Sequence, residues 1–323
     1  DVELRKKTIV GVLVSAGPVS TPSSDVGFNP VSGYNDFGFD HTPFRAHVSD
    51  NWSNPNFNIT AEHTFDTLGT VLSLAADYTN FNGKRSAISE NYFSSVEGDE
   101  VQPRRIFLSK HHSDIKIATQ KLDFRKNMFK LVDMETGVKT TFVDSRNNYT
   151  LENQNNQTGE FELDLNNSNN NLYLENILAG YINLKKQIKR ISVQAGIRAE
   201  NTSVHASNKE LGFELTRNYL KWFPTVTVDY NRSDKHSFNF SVTRRIDRPN
   251  YKDLNPYKSY QDAYTSSLGN SDLLPQTALN FNASHTYKHK FTNSVSVKYF
   301  TNLIMNYELQ NDSTRETIMT VKN

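Results

Sequence analysis

The run Arg244-Arg245-Ile246-Asp247-Arg248-Pro249 gathers four charges in six residues. Three guanidinium groups and one carboxylate in such a short segment allow two readings. A cationic cluster would bind an anionic ligand or the phosphates of an outer lipid leaflet. An ion-pair network with Asp247 would fix the root of a loop, and this is the preferred reading. Arg suits either role, because its planar fork of donors makes charge-assisted pairs. Pro249 and Pro256 stiffen the path beyond the run, and Tyr251, Leu254 and Tyr257 are placed to pack it back on its support. Gly269-Asn270-Ser271-Asp272 reads as a turn and carries too few carboxylates for a calcium loop.

Other reactive side chains are scattered. His111-His112 points to opposite faces if it lies in a strand, so the pair cannot chelate one ion. His63, His236, His285 and His289 are dispersed, and Asp123 and Asp133 are isolated carboxylates. No HExxH, GxSxG or phosphate-loop pattern exists. Cysteine is absent, which excludes disulfides and thiolate metal sites. No cofactor is implied and no enzyme is expected.

The elements that position these residues follow a period of two. Ile191, Val193, Ala195, Ile197 and Ala199 point one way; Ser192, Gln194, Gly196, Arg198 and Glu200 point the other. The same alternation marks Phe57–Phe65 (interrupted by His63), Leu72–Tyr78, Val226–Tyr230, Phe238–Val242, Leu279–Ala283 and Val295–Tyr299. An antiparallel sheet with one apolar face accounts for it. Mean hydropathy of -0.64 and 36% hydrophobic residues exclude a bundle of spanning helices. They do not exclude a barrel, in which alternate residues alone face lipid. The net charge of +1 gives no global case for nucleic acid.

Connections alternate between short and long. Asp66–Gly69, Arg125–Met128, Lys185–Lys189, Asn231–Lys235 and Lys288–Asn293 are the short ones. Gly17–Asn56, Asn82–Arg105, Arg146–Asn170, His205–Leu215 and Asp247–Thr277 are long and polar. Up-and-down transmembrane barrels place tight turns on the periplasmic side and long loops outside. About twelve strands are expected. Phe65, Tyr78, Phe81, Tyr149, Trp222, Phe223, Tyr230, Phe291 and Tyr299 sit near strand ends, as interfacial girdles would. A soluble sandwich, propeller or β-helix shares the alternation but not the one-sided long loops, and no fixed repeat is present. Gly196 would give a neighbouring backbone room on the inner face, or is a plain structural glycine. The Asn-rich stretch Asn147–Asn171 reads as a surface loop.

Several segments resemble one family in order and spacing. Val242–Pro275, with RRIDRPNYKDLNPY and later GNSDLLP, is similar to a signature of TonB-dependent outer-membrane receptors of the branch typical of Bacteroidota. FDTLGTVLSLAADY (Phe65–Tyr78), LYLENILAGYINL (Leu172–Leu184), VQAGIRAENTSV (Val193–Val204) and RNYLKWFPTVTVDY (Arg217–Tyr230) also resemble its strands. The resemblance implies an all-β fold, an antiparallel transmembrane up-and-down β-barrel that is a portion of a larger, 22-stranded one. Residues 1–323 would form one barrel segment in the cell outer membrane, without the family's signal peptide or plug domain. The loop-root motif it marks is Arg244, Arg245, Asp247, Arg248, Pro249, Tyr251, Asn255, Pro256, Gly269, Asn270 and Pro275, structural and open to ligand contact.

The function implied is energy-coupled uptake of an unidentified nutrient. The partners implied are membrane lipid and lipopolysaccharide, the protein's own plug domain, a TonB-type energy-coupling protein and a surface lipoprotein or other outer-membrane complex partner. The alternatives are a non-transporting barrel in a surface complex and a soluble extracellular binding module. The N-terminus DVELRKKT has no apolar signal core, and the pattern stops mid-strand at Val321-Lys322-Asn323. Both features lead to the expectation of an internal portion of a longer receptor.

Overall fold

The computed structural model describes residues 2–5, 7–29, 39–91, 94–95, 105–128, 131–250, 253–260, 265–311, 313 and 316–323. Among them the one helical turn is Leu165–Asn167, and everything else regular is strand. The first strands are β1 (Val2–Arg5), β2 (Thr8–Ser15), β3 (Pro18–Asn29), β4 (Phe39–Ser53), β5 (Asn56–Thr64), β6 (Val71–Asn91) and β7 (Ser94–Ser95). The central ones are β8 (Arg105–Met128), β9 (Val132–Gln154), β10 (Phe161–Leu163), β11 (Asn169–Ile188), β12 (Ile191–Asn208), β13 (Phe213–Ser233) and β14 (His236–Asp247). The last are β15 (Lys258–Tyr260), β16 (Thr265–Leu268), β17 (Gln276–Tyr287), β18 (Phe291–Thr301), β19 (Met305–Asn311) and β20 (Glu316–Lys322).

The main sheet runs β1-β2-β5-β6-β8-β9-β11-β12-β13-β14-β17-β18, with every pair along that path antiparallel. Each strand pairs with its successor in this meander, as an up-and-down wall requires. Among the described residues, β1 and β18 each pair on one side only, so the sheet does not close on itself.

Register decides which side chains share a face. Leu74, Leu122, Val138, Gly180, Ala199 and Trp222 form one continuous row across β6 to β13. Leu184, Ala195, Val226, Val242, Phe281 and Val297 form another across β11 to β18. These rows stay exposed: Val138 at 52%, Trp222 at 50% and Val297 at 57%. Apolar rows on the outside of a sheet are stable where the surrounding medium is hydrocarbon. Ile191 and Ile197 lie on this face too, at 39% and 43% exposure. Arg198 and Glu200 lie on the other face, paired at 2.6 Å. The alternation of β12 therefore has its apolar set on the outer wall, as the sequence predicts.

The inner face is polar toward the tight turns. Asn58 donates to Asp77 at 2.5 Å and Asn239 to Asp229 at 2.7 Å, and Tyr181 lies between Asp123 and Glu135. Gly137 and Gly196 belong to this face. A methyl group on Gly196 would collide with the Asn183 side chain, and one on Gly137 with Asp123, the Leu122 carbonyl and the Tyr181 ring. The room at Gly196 is thus taken by a side chain of the next strand, not by a separate backbone.

The long connections differ from the sequence expectation. Much of each of the first four is paired strand. Residues within Gly17–Asn56 form the β3–β4 hairpin, whose second strand pairs with the outer half of β6. The expected loop His205–Leu215 shrinks to the segment between Asn208 and Phe213. β9 continues to Gln154 and folds back through β10. Beyond the bilayer a strand needs no apolar face, so its pattern vanishes while its ladder persists. Of the short connections, Arg125–Met128 is still inside β8, and the reversal falls between Met128 and Val132.

Candidate functional site

The segment between β14 and β17 and the C-terminal hairpin form a second layer. β15, β16, β20 and β19 make a four-stranded sheet in which β16 and β20 run parallel. The chain's last strand therefore joins this layer rather than extending the wall. Leu254, Leu273 and Val321 pack against Tyr173, Val204 and Ala206, which lie on the inner face of β11 and β12. Tyr257 packs with Phe107, Tyr149 and Leu151 on the inner face of β8 and β9, with the Tyr149 and Tyr257 rings 5.6 Å apart. Leu273 is fully buried. Burial raises the Tyr149 phenol to about 12. The layer thus covers the inner wall at the long-connection end. Three aromatics expected in an interfacial girdle, Phe81, Tyr149 and Phe223, occupy inward positions in the register instead.

Two arginines tie the layer to the wall. Arg248 Nη2 donates to Glu200 Oε2 at 2.6 Å and to Thr202 Oγ1 at 3.1 Å, and Nε lies 3.6 Å from Glu175 Oε1. Glu200 also accepts from Arg198 at 2.6 Å. The second tie is Arg217 on β13, whose guanidinium donates to the carbonyls of Leu273 and of Ser271, the latter at 2.7 Å. Arg217 opens a family-like segment, yet nothing local assigns it this role, because its partners are main-chain oxygens more than fifty residues away.

The other residues of the motif separate. Arg244 and Arg245 make no ion pair among the described residues. Register places Arg244 in the outer row with Leu279 and Tyr299, and Arg245 opposite Ala278 on the other face. Arg245, Asp247, Gln276, Asn280 and Lys298 line a cleft of about 350 Å³ on that inner face. Asp247 thus pairs in register with Gln276 and not with its neighbouring arginines. Pro249 and Pro256 are half-buried in irregular backbone, Pro275 is buried, and Tyr251 lies outside the described residues. Asn255 Oδ1 is buried without a hydrogen-bond partner.

Asn270, beside Gly269, is the hub of the layer. Its amide donates to Asp253 O at 2.5 Å, its side chain donates to Val321 O at 3.1 Å, and its Oδ1 accepts from Asp272 N at 2.9 Å.

The histidines are also sorted by the wall. His111 bonds Ser113 and His112 bonds Asn82, at 2.8 and 3.3 Å, on opposite faces. His236 and His285, far apart in sequence, meet at 2.9 Å. Among the described residues no three His, Asp or Glu side chains are grouped to hold a metal ion.

An apolar exposed wall, a polar inner face and a meander of long antiparallel strands fit one setting, and residues 63–323 match the model of the outer membrane protein beta-barrel family. The chain belongs to that family. It is an antiparallel β-barrel protein of the cell outer membrane, crossing it with many strands. Its fold is similar to that of the copper transporter OprC, at a TM-score of 0.50 and 11% identity, over 98% of this chain and 56% of that one. The siderophore receptor PirA from Pseudomonas aeruginosa aligns over 97% of this chain and 57% of its own, at 12% identity and a TM-score of 0.45. The ferric citrate transporter FecA aligns over 96% and 53%, at 12% identity and a TM-score of 0.42. The chain thus spans little more than half the length of these solved barrels. No curated protein matches it.

Proposed function

We propose that this chain is part of the wall and the outer mouth of a TonB-dependent transporter, which takes up a nutrient across the outer membrane. The observation that carries the reading is the inward-folded layer held by Arg248 and Arg217. A transporter needs a polar lumen, a seal against lipid and a structure at the mouth that meets cargo first. The inner-face cleft of about 610 Å³ lined by Lys121, Glu135, Tyr181, Arg198, Thr225 and Arg245 suits contact with a plug domain below that layer. The unpaired edges at β1 and β18 would be costly in hydrocarbon. Further strands, giving a 22-stranded barrel in this reading, would pair with them. No bond-breaking step is assigned to this chain.

The test is a strain lacking the gene, grown where copper, siderophore-bound iron or another single nutrient limits growth. Transport predicts a defect in one of these media, restored by the gene only when the energy-coupling protein is functional. Normal growth and uptake throughout would favour a non-transporting barrel in a surface complex.

A further inference from the structure

Charge is distributed differently at the two ends of the wall. At the long-connection end, cations are matched with carboxylates: Lys110 with Glu152 at 2.6 Å, Lys116 with Asp114 at 3.2 Å and Arg146 with Asp144 at 3.0 Å. Three neighbouring turns at the other end are the reverse. Lys189 and Arg190 form the β11–β12 turn, with Lys185 and Lys186 in the strand end before it; Lys235 is in the β13–β14 turn, with Arg232 in the strand end before it; Lys288 and Lys290 are in the β17–β18 turn. Asp234 is the only acidic residue in these three turns. Among the described residues none of these eight cations has a carboxylate partner.

The turns form one built rim. Asn231 N donates to Arg190 O at 2.8 Å, Arg190 Nη1 to Arg232 O at 2.5 Å and Lys288 N to Lys235 O at 2.7 Å. Two of the cations also sit where they fit poorly. Lys189 and Lys288 have φ of 51°, and His289 has φ of 56°. Left-handed turn positions favour Gly or Asn, and a β-carbon costs energy there. Turn formation alone therefore does not account for lysine at these sites. Just above the rim, outward aromatic groups form a belt: Tyr230 stacks on Phe238 at 6.1 Å, Phe238 on His285 at 4.6 Å, and Phe291 is 67% exposed. Lys186 shares its outer row with Val193, Val228 and Phe240. From that position its stem lies along the apolar wall and its ammonium reaches the interface.

We propose that this rim binds the phosphate headgroups of anionic phospholipids in the periplasmic leaflet of the membrane. Cations without carboxylate partners on linked turns, next to an outward aromatic belt, complement a negatively charged lipid surface. They have no comparable partner in a zwitterionic one. The inference does not depend on transport; it requires only that the tight turns face the periplasm, as in barrels of this kind.

Delipidated protein in neutral detergent is titrated with phosphatidylglycerol or phosphatidylcholine, and bound lipid is counted by native mass spectrometry. Phosphatidylglycerol should be favoured by on the order of fivefold or more, the gain from one well-placed cation near an anionic surface. Half-molar salt should erase the preference, because exposed charges are screened over a few ångströms. The variant Lys189→Asn/Arg190→Gln/Lys288→Asn/Lys290→Gln should lose the preference while keeping its heat-modifiable gel mobility, because Asn tolerates the left-handed positions. Lys288→Asn alone should weaken the preference with the fold at least as stable. Equal binding of both lipids by the unaltered protein would overturn the proposal. So would a preference that survives the fourfold variant, or one abolished by millimolar inorganic phosphate, which would mark a site for free anions.

Discussion

Glycine and its neighbours show what a residue can decide on this wall. At Gly137 an added methyl group meets a backbone carbonyl and the Tyr181 ring, neither of which can move cheaply. At Gly196 it meets chiefly the movable end of Asn183. Gly137→Ala should therefore cost about 2 kcal/mol, in the range of overpacking, and Gly196→Ala distinctly less. Urea titration of heat-modifiable mobility would check the order.

Asp66 decides a turn in the same way. Its carboxylate accepts from the Thr70 hydroxyl at 2.7 Å and from the Leu68 and Thr70 amides at 2.8 and 3.1 Å, while Gly69 takes φ of 85°. The Thr70 hydroxyl, with the amides, lowers its pKa below the usual 3.8. A lowered carboxyl pKa contributes stability above the unfolded value and loses it as pH falls through the folded one. Asp66→Ala should thus be less stable than the parent at neutral pH. The gap should close below the folded pKa, which paired unfolding curves at neutral and strongly acidic pH would show. The turn was legible as FDTLG because every group in it is local.

Among elements, legibility tracked the medium each one meets. β12 could be read in advance because hydrocarbon on one side and polar lumen on the other impose alternation on Ile191–Glu200. β3, β4, β10 and the outer ends of β6 and β9 were hidden, because beyond the hydrocarbon that constraint is lost. The inward layer was hidden for a different reason. Its parallel β16–β20 pairing joins Thr265–Leu268 to Thr317–Thr320, and no local pattern encodes such a contact.

The motif Arg244–Arg248 was visible as a cluster, yet its members go to different places. Removing Arg248 leaves Glu175 without a cation and Glu200 with Arg198 alone on a poorly hydrated wall. Arg248→Ala should destabilise by about 3 kcal/mol, typical of breaking a buried pair, and Arg248→Lys should restore only part of it. Arg245→Ala, lacking an ion pair to lose, should leave unfolding unchanged. Arg217→Ala should free the Ser271 and Leu273 carbonyls. New cleavage by added protease between 253 and 273 would report that release.

For the whole molecule, the decisive contrast is between a wall turned to lipid and a wall turned to its own lumen. Val138 and Thr141 are three residues apart on β9, but register sends them to opposite faces. Val138 belongs to the exposed apolar row with Leu122 and Gly180; Thr141 faces inward beside Thr119 at 3.4 Å. Val138→Arg would place a guanidinium in hydrocarbon, at a cost of about 2–4 kcal/mol near the midplane. Thr141→Arg would place it in a polar interior, where carboxylates and water compensate it. The expected outcome is that Val138→Arg lowers the yield of heat-modifiable protein in outer membranes and shifts its urea midpoint, while Thr141→Arg does neither. A soluble β-sheet protein would treat both exposed arginines alike, so the two variants together test whether this sheet has an inside and a lipid side.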